Sequence, residues 1–253
     1  EKAELEGPRA RSWLRRVCRF LPMVVEVNDE TLPRGFEGGL FKISVREPLP
    51  AEIAVTRTGD APRLDLLRHG EPVGGSRYRG QVDDPLSERG WQQMWQAVED
   101  AVHWQRIVTS PLRRCREFAL QLGERLDVPV HDEARFVEVG FGEWEGRTRT
   151  ELEQLQPGQV HRFYRDPVAH RPPGAEPLDD FVGRVAGGFG ELLDRYPGET
   201  VLVVAHAGVI RAILAHVLDI PPTSMYRIHV QNAGMSRLRT DRLRRYNLLS
   251  HGS

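Results

Sequence analysis

Short apolar runs alternate with amphipathic segments from residue 63 to about residue 240. The predicted strands are residues 64–68, 107–109, 201–205, 226–230 and 235–240, and the predicted helices are residues 87–102, 111–126 and 208–218. An alternation of buried strands with helices is typical of α/β domains. The pattern therefore predicts a three-layer α/β/α sandwich around a mostly parallel central sheet.

The helix starts carry the clearest local signals. Ser87 can accept a hydrogen bond from a free amide of the first turn, and Trp91, Trp95 and Val98 then form one apolar stripe. Pro111 begins the next predicted helix, at a position where the missing proline N–H has no intrahelical partner to lose. These signals place the starts of the first two predicted helices, one after each of the first two predicted strands.

Residues 1–60 differ from the rest, because prolines and glycines interrupt them repeatedly. Arg9–Leu21 is predicted to form a basic amphipathic helix. Docking against the main domain is the favoured interpretation of this helix, and binding to a membrane or a partner is the alternative. Three alternating stretches, Met23–Val27, Leu40–Val45 and Glu52–Thr56, are typical of short strands. We predict an N-terminal extension over residues 1–60, one α/β domain over residues 61–245 and a tail over residues 246–253.

Composition excludes several classes of protein. The 35 Lys and Arg residues balance 36 Asp and Glu residues, so the net charge of −1 provides no overall field for nucleic acid or anionic lipid. Cys18 and Cys115 are too few for a disulfide framework or a zinc cluster, which favours a reducing, cytoplasmic location. No apolar run reaches the roughly 20 residues that span a bilayer, so no membrane partner is expected. Any anion site must be local, and the oligomeric state stays open.

Three predicted strands end in residues that suit a phosphate group. The segments are Leu66–Gly70, with Arg68 and His69 at the strand end, Thr109–Arg114, and Val203–Gly208, which delivers His206. Ligands of open α/β sheets bind at the carboxyl ends of strands, and the free amides of a helix N-terminus attract anions. The three segments are therefore expected to converge on one phosphate site.

A phosphate monoester carries nearly two negative charges, which metal ions or fixed cations must neutralise during displacement. Arginine forks are the predicted solution, since the sequence has no His-x-His, no Cys-x-x-Cys and no convincing carboxylate cluster. The adjacent Asp83 and Asp84 are interpreted as a turn before Pro85 rather than a metal site. We therefore expect neither a metal nor an organic cofactor. A neutral imidazole at His69 can attack phosphorus without prior loss of a proton.

Four ordered motifs carry a resemblance to a known family. They are Leu67-Arg68-His69-Gly70-Glu71, Ser110-Pro111-Leu112-x-Arg114, Glu138-x-x-x-Gly142-x-Trp144-Glu145-Gly146 and His206-x-Gly208-Val209-Ile210-Arg211. Together they resemble the histidine phosphatase, or phosphoglycerate mutase-like, superfamily over about residues 63–240. The resemblance implies a phosphoglycerate mutase-like fold and a small-molecule phosphate ester as substrate.

The resemblance also implies individual roles. His69 would be the phosphorylated nucleophile, Arg68, Arg114 and His206 the cationic pocket, and Glu138 the proton donor. A phosphate dianion disfavours ionisation of a neighbouring carboxyl group, so Glu138 can first give a proton and later accept one. The amide of Ala207 would be a further phosphate donor.

The chain departs from the family pattern at two positions. Ala207 stands where the family often has a second glycine, and Gly75 stands where many members have an asparagine that contacts phosphate. Arg113 is an alternative to Arg114 as the pocket residue, although the spacing from Ser110 favours Arg114.

Residues 74–87 and 90–94 resemble one branch in particular, the α-ribazole phosphatases of cobalamin biosynthesis. Arg79 would then contact phosphate or ribose, and Tyr78 would stack on the base. The alternative is that Tyr78 packs its loop and Arg79 faces water. A broad-specificity phosphatase and a phosphoglycerate mutase are alternative enzymes, and a catalytically weak binding module is the alternative of another class.

Overall fold

The computed structural model describes residues 63–99, 104–240 and 246–252, together with five short strands between residues 23 and 57. The chain divides into two units, residues 1–61 and 62–253. No helix in the described residues is both long enough and apolar enough to cross a membrane.

The first unit contains short antiparallel strands. They are β1 (Met23–Val27), β2 (Glu30–Leu32), β3 (Ser44–Arg46), β4 (Pro50–Glu52) and β5 (Val55–Arg57). Strand β1 pairs with β2 and β5, and β3 pairs with β4. The strand predicted at residues 23–27 is confirmed, whereas those at 40–45 and 52–56 match only in part. The helix predicted at Arg9–Leu21 lies outside the described residues.

A six-stranded sheet forms the centre of the second unit. Its strands are β6 (Arg63–Arg68), β7 (Arg106–Thr109), β8 (Val130–Asp132), β9 (Thr200–Ala205), β10 (Met235–Thr240) and β11 (Tyr246–His251). The order is β11-β10-β6-β9-β7-β8. Strands β6, β9, β7 and β8 are parallel, while β10 and β11 add an antiparallel edge. The mostly parallel sheet predicted from the sequence is confirmed.

Helices cover both faces of this sheet. They are α1 (Glu88–Ala97), α2 (Arg113–Leu126), α3 (Arg149–Leu155), α4 (Gln159–Arg165), α5 (Leu178–Arg195) and α6 (Ala207–Val217). Successive strand residues point to opposite faces, so Leu66 packs in the cluster with α5 and α6, and Leu67 packs with α1 and α2. The three-layer α/β/α arrangement is confirmed. Helices α3 and α4 bury a third cluster around Trp144 and Phe163.

The strand predicted at residues 226–230 is wrong. A 3-10 helix, Pro222–Arg227, occupies its first part. Beyond it, the carbonyl oxygens of His229 and Val230 accept hydrogen bonds from the side chains of His251 and Arg68. The alternation of apolar residues there serves packing, because Tyr226 contacts Phe163 with ring centroids 5.0 Å apart.

Three boundaries also differ from the prediction. Helix α1 is capped by Ser87 as expected but ends at Ala97, because the Val98 amide turns back to the carbonyls of Trp95 and Gln96. Helix α2 begins at Arg113 and not at Pro111. Residues 246–253 were separated as a tail, whereas Tyr246–His251 is strand β11, which pairs with β10. Helices α3, α4 and α5 were not predicted.

Candidate active site

The candidate site lies at the carboxyl ends of the parallel strands. Strands β6 and β9 pair in register, with Arg68 opposite Ala205. His69 and His206 directly follow these two residues, so sheet pairing alone makes them neighbours. Their ring centroids are 5.2 Å apart, with the ring planes at 65°. The expected convergence of the first and third strand ends is therefore present.

His69 has one ring nitrogen engaged and the other available. Nδ1 lies 2.7 Å from the carbonyl oxygen of Gly70. A carbonyl can only accept, so Nδ1 carries the proton and the lone pair of the neutral ring is on Nε2. Burial, reinforced by the positive charges of Arg68 and Arg114, holds the pKa of His69 well below its usual value. The imidazole is therefore neutral at physiological pH, which is the form that acts as a nucleophile.

Two arginines lie beside this imidazole, Arg114 buried and Arg68 half-buried. Arg114 donates from Nη1 to Val82 O at 2.6 Å and from Nη2 to Gly80 O at 2.8 Å, while Arg68 donates from Nη1 to Val230 O at 2.6 Å. These carbonyls come from loops, so each guanidinium plane is held by backbone. Within the described residues, Nε of each arginine is buried without a hydrogen-bond partner. Buried unpaired donors are costly, and an anion would relieve that cost.

Arg68 keeps its charge despite burial. Removal from water lowers the pKa of Arg68 to about 10, and the negative charge of Glu138 opposes this fall. A guanidinium with a pKa of about 10 remains a cation at pH 7. Two fixed positive charges therefore face the neutral imidazole.

His206 is completely buried behind the cavity wall. Its Nε2 lies 2.7 Å from the hydroxyl oxygen of Ser110, and the thiol of Cys115 lies 3.7 Å from both ring nitrogens. Burial is the main cause that keeps the pKa of His206 well below its usual value. Ser110 was recognised only as part of a motif. The bond shows that Ser110 orients the His206 ring, which no local sequence pattern reveals.

Glu138 is brought to the same site by a loop. Its Oε1 accepts the amide hydrogen of Val139 at 2.9 Å, and its Oε2 accepts that of Gly208, near the N-terminus of α6, at 3.0 Å. A side chain on residue 208 would meet the carboxylate, since a Cβ there would lie 2.2 Å from Oε1. Glycine at position 208 therefore makes room for the predicted proton donor.

The structure separates the alternatives at neighbouring positions. Arg113 pairs on the surface with Glu117 at 2.7 Å, whereas Arg114 is 1% exposed and lines the cavity. Asp83 accepts the backbone amide hydrogen of Arg113 at 2.6 Å, and Asp84 pairs with Arg79 at 3.0 Å. Both aspartates thus have structural partners. No group of three His, Cys, Asp or Glu side chains that could hold a metal occurs in the described residues.

The predicted substrate-binding residues all line the cavity. Arg79 is nearly buried and donates to Asp84 and to the Val73 carbonyl. Tyr78 packs edge-on against Phe141 and Trp144, and burial raises its pKa. The Tyr78 ring is therefore held by residues of the 141–144 segment, and its hydroxyl donates to the Tyr164 hydroxyl at 3.3 Å.

The wall also contains residues without an assigned role. The cavity has a volume of about 410 Å³, within the range of about 300–1,000 Å³ that is typical of small-molecule binding pockets. Ala207, the first residue of α6, lines it. Tyr164, Tyr226, Arg149 and Arg211 form further wall. Arg211 lies in a recognised motif, but Arg149 and Tyr164 come from the unpredicted helices α3 and α4.

The family model of the histidine phosphatase superfamily (branch 1) matches residues 64–250. The Bifunctional protein Rv2228c of Mycobacterium tuberculosis is 33% identical over 202 residues, which cover 74% of this chain. The chain spans only 55% of the length of that relative.

Two other relatives have names that state a substrate. Glucosyl-3-phosphoglycerate phosphatase of Mycolicibacterium vanbaalenii is 35% identical over 170 residues, covering 63% of this chain and 75% of the relative. Phosphoserine phosphatase 1 of Hydrogenobacter thermophilus is 32% identical over 180 residues, covering 69% and 84%.

Solved structures with the same fold include two such enzymes. Native mycobacterial glucosyl-3-phosphoglycerate phosphatase superposes with a TM-score of 0.69 at 30% identity, covering 76% of this chain and 99% of the other. A putative α-ribazole-5′-P phosphatase of Escherichia coli superposes with a TM-score of 0.68 at 25% identity, covering 76% and 97%.

Proposed function

The chain belongs to the histidine phosphatase superfamily, and from this we propose that it hydrolyses phosphate monoesters through a phosphoryl group carried transiently on His69. The observation that carries the proposal is the placing of His69. Its Nε2 is the unprotonated nitrogen, and its ring lies beside His206 and two arginines at the end of the parallel strands. Nucleophile and charge neutralisation thus occupy one cavity.

The first half-reaction transfers the phosphoryl group to the protein. His69 Nε2 attacks phosphorus while the bond from phosphorus to the ester oxygen breaks. Glu138, protonated against the bound dianion, gives its proton to the departing oxygen, which leaves as an alcohol. The new phosphoimidazole is a cation at Nδ1–H, and the Gly70 carbonyl 2.7 Å away stabilises that charge.

The second half-reaction releases phosphate. The Glu138 carboxylate takes a proton from water as the water oxygen attacks phosphorus, and the bond to Nε2 breaks. His69 returns to its neutral form and Glu138 to its protonated form. Arg68 and Arg114 neutralise the equatorial oxygens in both steps, which replaces the role of a metal ion.

For the substrate, we propose a phosphate ester whose alcohol part carries a carboxylate. Six arginines line the cavity. Arg79 and Arg77 have carboxylate partners in Asp84 and Glu151, and Arg68 and Arg114 lie beside His69, which leaves Arg149 and Arg211 as the wall cations for a second anionic group. The Arg149 side chain is exposed and, within the described part of the chain, forms neither a hydrogen bond nor an ion pair. Two named relatives act on phosphate esters of this kind, glucosyl-3-phosphoglycerate and phosphoserine.

A second candidate is α-ribazole 5′-phosphate, as expected from the loop resemblance. The rings of Tyr164 and Tyr226 in the cavity wall favour an aromatic or sugar-containing leaving group. The likeness to the putative Escherichia coli enzyme supports the same choice. Only the leaving group differs between the two candidates, so the chemistry at His69 is common to both.

Two experiments test these proposals. After brief reaction and acid-free denaturation, radiolabelled substrate should leave an acid-labile phosphoryl group on the wild type and on Arg113→Gln, but not on His69→Ala. Turnover by His69→Ala at the wild-type rate would reject the mechanism. Isomerisation of phosphoglycerates in the presence of a bisphosphoglycerate primer would instead identify a mutase.

The substrate test compares phosphoserine, glucosyl-3-phosphoglycerate, 3-phosphoglycerate, α-ribazole 5′-phosphate and phenyl phosphate. Arg149→Gln should raise KM about 10-fold for the carboxylates, which corresponds to about 1.4 kcal/mol for one charged contact, and leave phenyl phosphate unchanged. Equal effects on all five esters would remove the carboxylate proposal. A higher kcat/KM for α-ribazole 5′-phosphate would establish the second candidate.

A further inference from the structure

Glu138 lies on a segment with little regular structure of its own. A 3-10 helix, Ala134–Phe136, is followed by residues 137–140, which form neither helix nor strand. Backbone carbonyls in such a segment need partners from elsewhere to be held in place. A proton donor on this segment is only as well positioned as the backbone that carries it.

One side chain from α5 supplies most of those partners. The Nη1 of Arg184 donates to Arg135 O at 2.6 Å and Val137 O at 2.7 Å, and Nη2 donates to Glu138 O at 3.2 Å. Three carbonyls within four residues are thus held by one guanidinium group. The planar fork of arginine can do this, whereas the single nitrogen of lysine cannot.

The guanidinium is itself fixed by a carboxylate. Arg184 donates from Nε to Glu176 Oε1 at 2.7 Å and from Nη2 to Oε2 at 2.9 Å. Glu176 in turn accepts the Gly140 amide hydrogen at 3.1 Å, at the other end of the segment. All five N–H groups of Arg184 are used, and its plane stacks over Phe181 at 4.8 Å.

We infer that Arg184, with Glu176, is a positioning residue that holds Glu138 in place for proton transfer. Arg184 is not among the described residues that line the cavity, so it acts through the Glu138 backbone and not on the substrate. The inference rests on the proposed function, in which Glu138 protonates the leaving group. Loss of the Arg184 hydrogen bonds should therefore slow the hydrolysis of esters whose leaving group needs a proton, and it should leave the hydrolysis of other esters unchanged.

A matched control arginine exists on the far side of the fold. Arg106 pairs with both oxygens of Glu199, at 2.8 and 3.1 Å, and stacks over Tyr196 at 4.3 Å. Its side chain is 21% exposed, compared with 23% for Arg184. The two arginines make the same kind of ion pair, but Arg106 holds no part of the Glu138 segment. Arg106→Gln therefore reports the cost of losing such a pair without loss of positioning.

The experiment measures kcat and KM for an alkyl phosphate and for p-nitrophenyl phosphate, whose leaving group needs no proton. Arg184→Gln should lower kcat at least about 10-fold for the alkyl ester and less than about twofold for the aryl ester, with the inhibition constant of inorganic phosphate unchanged. Arg184→Lys should fall between Arg184→Gln and wild type. Arg106→Gln should change the hydrolysis of neither ester, although it too loses a two-bond ion pair with a glutamate.

A double-mutant cycle separates failure of the inference from failure of the proposed mechanism. In a Glu138→Gln background, Arg184→Gln should add less than about a twofold further loss, because the donor is already absent. If Glu138→Gln is selective for the alkyl ester but Arg184→Gln behaves as Arg106→Gln, the inference is wrong and the mechanism stands. If Glu138→Gln slows both esters equally, Glu138 is not the donor and both fail. Should Arg184→Gln not fold, Arg184→Lys and Glu176→Gln decide by the same comparison.

Discussion

Replacement of Gly208 by alanine tests the position of Glu138 with one added methyl group. The new Cβ would lie 2.2 Å from Glu138 Oε1 and 3.3 Å from Phe181 Cζ. Ordinary contacts of this kind begin at 3.4 Å, so the carboxylate must retreat by about 1.2 Å. A displacement of about 1 Å can lower a rate about 100-fold when it separates catalytic groups.

Stability should respond far less than activity to this change. Gly208 lies in helix α6, where alanine is favoured over glycine by up to about 1 kcal/mol. That gain offsets part of the loss of the hydrogen bond from the Gly208 amide to Oε2. We expect the free energy of unfolding in urea to change by less than about 1 kcal/mol. The kcat for alkyl phosphates should fall by about 100-fold.

Gly187→Ala is the matched control, because its Cβ would meet nothing within 4 Å on helix α5. It should stabilise the protein by up to about 1 kcal/mol and leave kcat unchanged. The assay is steady-state hydrolysis of an alkyl phosphate and of p-nitrophenyl phosphate. Full activity of Gly208→Ala toward the alkyl ester, or equal losses for both esters, would refute the assigned position of the proton donor.

Arg114→Gln should weaken competitive inhibition by inorganic phosphate at least about 10-fold and Arg113→Gln less than about twofold, since only the former lines the cavity; equal effects would contradict the assignment. EDTA should leave turnover unchanged, and loss restored by a divalent ion would reveal a metal requirement. Because the pKa values of His69 and His206 are held below the usual 6.5 in the fold, the stability they contribute is complete above pH 6.5 and is lost as the pH falls towards the folded pKa values. Each histidine should steepen the loss of unfolding free energy on acidification by up to about 1.4 kcal/mol per pH unit. His206→Asn should therefore show a shallower dependence of unfolding free energy on pH, and a denaturation series in which this variant keeps the wild-type slope would contradict the contribution of His206.

Local signals in the sequence were sufficient for strands β6, β7, β9 and β10 and for the proposed site motifs. Strands β6, β7 and β9 are short apolar runs because both their faces are covered, and such runs can be recognised without knowing what covers them. A motif residue (His69, Ser110 or His206) directly follows the end of each strand, so parallel pairing brings the motifs to one edge. His69 and His206 could be predicted as neighbours for this reason.

Partners that come from distant segments could not be predicted. The carbonyl of Val230 accepts a hydrogen bond from Arg68, which is 162 residues away in sequence. The strand predicted at residues 226–230 is absent, and the carbonyls of His229 and Val230 bond to side chains instead of to a neighbouring strand. Helix α5 has a usable apolar stripe, but nothing in that stripe shows that Arg184 reaches three carbonyls of the Glu138 segment. Sequence pattern reports which face of an element is buried, not which backbone groups lie opposite it.

The amino-acid sequence by itself therefore determined the α/β class and strands β6, β7, β9 and β10, and it indicated the groups that we propose react, since these depend on local periodicity and on side-chain chemistry. Only the tertiary structure decided which nitrogen of His69 is free, why Arg114 and not Arg113 enters the cavity, and what holds Glu138 in place. Hydrogen bonds and burial depend on distances between segments far apart in sequence, and folding sets those distances.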